Sequence, residues 1–218
     1  MKTRTLIIVI MVTGVLMMGA GYLLSGNMGD ALATHWNAAG EADGYGSAFM
    51  ALYFLPLLTM AMSAMIAVMP MLDPLKANVE KFRREYNIFI AAFAGFMFYI
   101  QGLTLAWNAG LKFSMTGLMA PGFGLLFIAS GMVLRKAKRN YFIGIRTPWT
   151  LANDTVWDKT HELGGQLFIA SGILTTLCVF VPDASIFVLL VTAIGASLIT
   201  MVYSYLEFRK IDKGTPTP

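Results

Sequence analysis

Residues 115–181 read MTGLMAPGFGLLFIASGMVLRKAKRNYFIGIRTPWTLANDTVWDKTHELGGQLFIASGILTTLCVFV. Two apolar runs, 115–134 and 163–181, flank a segment holding six basic residues, two tryptophans, a proline and a histidine. A helix rising 1.5 Å per residue needs about 20 residues to cross a hydrocarbon layer of about 30 Å, and each run has that length. Working outward, runs of the same kind occur at roughly 5–24, 48–70, 88–108 and 185–206. Of the 218 residues 57% are hydrophobic and 13% charged, about half the charged fraction of a soluble domain. The expected fold is therefore all-α, a polytopic membrane protein with six transmembrane helices.

Lys2 and Arg4 precede the first run as they would in a secretory signal, but the run is too long and GAGYLLSGN is a poor cleavage site, so a retained helix is expected. Cys178 is the only cysteine, which excludes an internal disulfide and Cys-based metal or redox sites. Fifteen of the sixteen Lys and Arg residues fall at the N-terminus, after the second and fourth runs, and in the tail; Lys112 alone falls on the other side. The positive-inside rule then places both termini in the cytoplasm, and the net charge of +4 reports topology rather than direct nucleic-acid binding.

The expected division is residues 1–75, two helices with an extracytoplasmic loop 26–46, and residues 76–218, a four-helix unit containing the segment 140–161. In DPLKANVEKFRREYN, Asp73 is positioned as a helix N-cap with Pro74 behind it. Leu75, Val79, Phe82 and Tyr86 recur at helical spacing opposite Glu80/Arg84 and Lys81/Glu85 pairs, so the third span is expected to project inward by about three turns. NYFIGIRTPWTL reads as an extended or turned loop because of Pro148; Asn153 or Asp154 then caps a helix with Trp157 and His161 on one face.

No span carries an ionisable residue in its centre, which disfavours an ion-coupled transporter. The small residues and the prolines 56 and 121 read as packing features. LFIASG recurs at 126–131 and 167–172 without flanking similarity and reads as chance. His35, Asp30, Glu41 and Asp43 are too loosely spaced for a metal site, so an ordered cap with no metal is expected. Trp157 and His161 read as anchors of the fifth span, and no nucleophile, zinc or phosphate motif points to an enzyme or a cofactor. RKAKR suits topology and lipid head groups. Arg146 sits in an apolar setting and should have an acidic partner among Asp154, Asp158 and Glu162.

NYFIGIRTPWTLANDTVWDKTH resembles the signature of the SdpI family of bacterial membrane proteins, through Asn140, Ile143, Gly144, Ile145, Arg146, Thr147, Pro148, Trp149, Thr150, Leu151, Trp157 and His161. HWNAAGEADGYGS similarly resembles an N-terminal domain of unknown function that accompanies this signature, through His35, Trp36, Asn37, Gly40, Asp43 and Gly44. The usual prolines before the histidine and the lysine after Asp-Gly are missing here. The resemblance implies an integral membrane immunity or sensor protein. Such a protein protects its producer from a membrane-active peptide toxin met on the outer side and signals inward by tethering a cytoplasmic repressor. Membrane lipids are the remaining expected partners. On this reading the outer motif faces the ligand, and the inner signature, with Arg146 at its centre, faces a partner. The alternative is a transporter or exporter of a small molecule, lipid or peptide, with a passage lined by Gln101, Asn108, Ser130 and Ser171.

Overall fold

The computed structural model describes residues 1–26 and 28–212. Among the described residues, six helical stretches are long and apolar enough to span a membrane: Thr3–Ser25, Met50–Leu72, Arg83–Asn108, Met115–Leu134, Asp154–Phe180 and Pro182–Ile211. They coincide with the six apolar runs. The first is α1 (Thr3–Ser25). The second opens with a π-helical turn (Met50–Phe54), continues as α2 (Leu55–Val68) and closes in a 3-10 turn (Met69–Leu72). Pro56 is the second residue of α2, directly after the π-helical turn, and that wider turn accommodates its ring and missing N–H. A short α3 (Lys76–Glu80) precedes α4 (Arg83–Asn108), and α5 (Met115–Leu134) begins at Ser114, whose side chain accepts from the Gly117 N–H. After α5 come a second short helix, α6 (Pro148–Ala152), then α7 (Asp154–Leu177) and α8 (Ser185–Asp212).

α1, α2 and α4 pack together, α5, α7 and α8 form a second group, and α4 against α5 joins them. The closest pair is α5 and α7, for a reason visible in two pairs of glycines. A Cβ on Gly131 would lie 2.5 Å from the Gly165 carbonyl oxygen, and one on Gly124 would lie 2.5 Å from that of Gly172. Gly131 and Gly172 end the two copies of LFIASG, so the recurrence that reads as chance in the sequence lines a reciprocal contact between antiparallel backbones. Val12 and Leu16 on α1 and Phe187 and Val191 on α8 are exposed, as suits a surface solvated by lipid.

The segment 26–46 contains strands β1 (Leu32–Trp36) and β2 (Ala42–Gly46), paired antiparallel. The all-α fold therefore carries one small hairpin. The expected projection of the third span is corrected: the helix breaks at Phe82, whose φ is −128°. Val79 and Phe82 are buried in a core cluster with Leu6, Ile10, Tyr86, Ile90 and Trp157. Burial of those side chains pulls the segment under the bundle instead of letting it extend. The break also re-pairs the charges: Glu80 takes Arg83, whose hydrogen bond holds the carboxyl below its usual range, and Lys81 donates to Asn78 Oδ1 at 2.9 Å. Asp73 caps no helix; its Oδ1 accepts from the Leu75 N–H at 2.7 Å and its Oδ2 from the Tyr141 N–H at 2.8 Å.

Candidate functional site

The two motifs lie at opposite ends of the bundle, a span's length apart. At the basic end, Asn140 is wholly buried and uses its full amide: Nδ2 donates to the carbonyls of Lys138 (2.8 Å) and Ile143 (2.9 Å), while Oδ1 accepts from the N–H groups of Phe142 (2.9 Å) and Ile143 (2.6 Å). That one side chain folds the turn after α5. Gly144 follows with φ +116°, and a Cβ there would collide with His161 Nε2. Only glycine meets both demands.

The absent Cβ lets the backbone reach His161. Its Nε2 accepts from the Ile145 N–H at 2.9 Å, so the proton lies on Nδ1, which donates to the Trp157 carbonyl at 2.8 Å. The imidazole is neutral, buried, and stacked on the Trp157 ring with centroids 4.0 Å apart. Trp157 in turn donates from Nε1 to the Ala137 carbonyl at 2.9 Å. Both residues anchor the start of α7, from the core rather than from the lipid interface. Asn153 caps α7, accepting from the N–H groups of Thr155 and Val156.

Residues 141–147 form the expected turned loop, but Pro148–Ala152, expected to continue it, form a short helix. Thr147 and Thr150 form a capping box with Pro148 at the first helical position, where a proline starts a helix as readily as it breaks one. Trp149 donates to Ser204 Oγ and meets Tyr205 edge-on, which ties α6 to α8.

Arg146 corrects a second expectation. Among the described residues its partner is the Tyr141 carbonyl, at 2.6 Å, and its side chain is exposed. The three candidate acids go elsewhere: Asp154 to Arg139 (2.8 Å), Asp158 to Lys138 (3.1 Å) and Glu162 to Arg135 (2.8 Å). The run after α5 lies alongside the start of α7 and takes each carboxylate first. Arg146, Tyr141 and Pro148 are left facing outward.

Sequence reasoning missed three supports of this end. Asp73 and Asn78, whose Nδ2 donates to the Arg139 carbonyl at 2.9 Å, clamp the α2–α4 connection to the signature. Glu207 on α8 is buried between Lys159 (2.7 Å) and Lys210. A lone acid inside the basic end of an apolar span was the available signal for Glu207.

At the other end the motif residues build the hairpin. His35 Nδ1 and Asp43 Oδ1 pair at 2.6 Å; Asn37 Oδ1 accepts from the Glu41 N–H at 3.1 Å, and the Gly40 N–H donates to the Asn37 carbonyl at 2.9 Å. Gly44 lies opposite His35, and a Cβ on it would sit 2.8 Å from His35 Cβ. The hairpin is fastened twice. Asn108 holds both backbone groups of Ala33, at 2.8 and 3.0 Å, and the Gly40 carbonyl accepts from the Met115 N–H at 3.2 Å. Trp36 meets Trp107 edge-on, and the Lys112 ammonium sits 3.2 Å from the Trp107 ring centre.

Comparison with known proteins matches both ends. Residues 136–204, which contain the signature and the two helices it braces, match the SdpI/YfhL protein family. Residues 12–60, with the hairpin at their centre, match a domain of unknown function, DUF1648. From residue 136 to 204 the chain is thus similar to the SdpI/YfhL family. A curated relative is the immunity protein SdpI of Bacillus subtilis (strain 168), 27% identical over 117 residues. The match covers 53% of this chain and 56% of the relative, about half the length of each. No solved structure matches the chain. The six apolar spans among the described residues and the likeness to this family together make the chain a multi-pass protein of the cell membrane.

Proposed function

We propose that the protein is a membrane immunity protein that protects its cell from a membrane-active peptide toxin. Its hairpin end faces outward, toward the toxin, and its basic end faces the cytoplasm. The observation that carries the reading is the likeness, over 117 residues, to a relative whose name is immunity protein. The geometry supports it on a second count. Nearly every polar group of the signature is used in holding the fold, which suits a rigid platform better than a catalytic centre. The exposed patch of Arg146, Tyr141 and Pro148 is where a cytoplasmic repressor would dock. The division at residue 75 belongs to the same proposal, with the first unit presenting the hairpin, the second carrying the platform, and α4 packing on both.

A transport passage fits less well. Gln101 Nε2 donates to the Ala51 and Leu52 carbonyls, Asn108 holds Ala33, and Ser130 and Ser171 donate to the Leu126 and Thr192 carbonyls. These groups secure backbone and do not line a route across the bundle. The test is survival of a toxin-sensitive strain carrying the gene when challenged with membrane-active peptides. Protection at matched membrane expression is the expected result; unchanged killing by every peptide tried would remove the proposal.

A further inference from the structure

A cavity of about 570 Å³ lies at the hairpin end, within the usual ~300–1,000 Å³ of ligand sites. Thr34, His35 and Trp36 roof it. On α5 its lining begins at Met115 and ends at Phe123, and on α4 it reaches only from Thr104 to Ile100. At 1.5 Å per residue it is therefore a blind pocket roughly 12 Å deep.

Its shape follows from the packing. α2 lies on α4, α4 on α5 and α5 on α8, whereas α2 and α8 are not packed on each other. The four helices form an arc around the pocket, and the open side faces the membrane. The wall is chiefly apolar, with Phe54, Leu55, Met119, Phe123 and Leu189 among its side chains. Its polar groups are mostly engaged already: Gln101 by the backbone before α2, Thr104 by the Ile100 carbonyl, Thr116 by Ser114 and Ser185 by the Cys178 carbonyl. Among the described residues, the Thr175 hydroxyl in the wall and Trp36 Nε1 in the roof are buried without a hydrogen-bond partner.

We infer that the pocket holds the acyl chain of a membrane amphiphile, which enters sideways between α2 and α8 and leaves its polar head at the level of His35. Three features select this occupant. The opening faces the hydrocarbon layer, where acyl chains are the solvent. A peptide backbone inside would strand most of its N–H and C=O groups against a wall with few free partners, a cost that an acyl chain does not carry. The roof supplies a polar rim, with His35 largely exposed beside Asp43 at 2.6 Å. The inference does not depend on the immunity reading, since a chain that binds lipid and protects nothing would keep the first and lose the second.

A photo-crosslinking experiment on the full chain in phosphatidylethanolamine/phosphatidylglycerol vesicles tests it. One arm carries phosphatidylglycerol with a diazirine at the end of one acyl chain, the other a free fatty acid with the same group; the arm that labels identifies the source of the chain. Label is expected on Met119, Phe123 or Leu189, inside the pocket, as well as on Val12 and Leu16, which face lipid on α1. Ala120→Phe, at a buried wall position, should lower the pocket label about tenfold and leave the α1 label unchanged. Leu189→Trp serves the same purpose if that variant does not fold. Label confined to outward-facing residues, pocket label that survives filling, or pocket label from a diazirine-bearing apolar peptide and from neither acyl probe would each overturn the inference.

Discussion

Single side chains at the basic end act mainly by satisfying backbone, so their removal should appear as lost stability. His161→Phe keeps a ring beside Trp157 but removes the acceptor of the Ile145 N–H, and should cost about 1–3 kcal/mol. Gly144→Ala adds a collision with the same nitrogen to a backbone of positive φ, and should cost on the order of 2–5 kcal/mol. Arg146→Ala removes one exposed hydrogen bond and should cost less than about 1 kcal/mol while weakening any repressor contact. Thermal unfolding in detergent, followed through tryptophan fluorescence, separates the three; an Arg146 variant as unstable as the Gly144 one would make the arginine a fold residue. The signature was readable in the sequence as a set, but the partner of Arg146 was not. Asp154, Asp158 and Glu162 are its neighbours along the chain, yet the pairing is decided by α5 and α7 lying side by side, which brings Arg139, Lys138 and Arg135 to them first.

At the scale of elements, two contacts carry expectations of their own. Asn108→Ala frees both backbone groups of Ala33 and should speed amide exchange in β1 about tenfold while leaving α4 protected. Exchange unchanged in β1 would mean that the link through Gly40 holds the hairpin alone. Gly131→Leu pushes a side chain against the Gly165 carbonyl, which cannot move aside, and should destabilise the α5–α7 pair by about 1–3 kcal/mol; a Tm equal to that of the unchanged chain would contradict the close approach. The spans were legible because 20 apolar residues have few other uses. The hairpin was not, since its strands carry no apolar alternation and their pairing shifts register between Ala33 and His35 and again before Trp36. The break at Phe82 escaped notice for a related reason: Val79, Phe82 and Tyr86 keep a helical period across it, and only burial in the core reveals that the chain turns there.

For the whole molecule, charge and structure divide the bundle into a hairpin end with acids and a single lysine and a basic end with the signature. The proposed immunity at one face and the proposed docking at the other both depend on how that bundle sits in the membrane. Cell-impermeant maleimide labelling measures it directly. With the one native thiol removed by Cys178→Ser, single cysteines are introduced by Glu41→Cys in the exposed turn of the hairpin and by Lys136→Cys at the exposed basic end. The account predicts that Glu41→Cys is labelled in intact cells and Lys136→Cys only after lysis. Labelling of Lys136→Cys in intact cells, with Glu41→Cys protected until lysis, would contradict it.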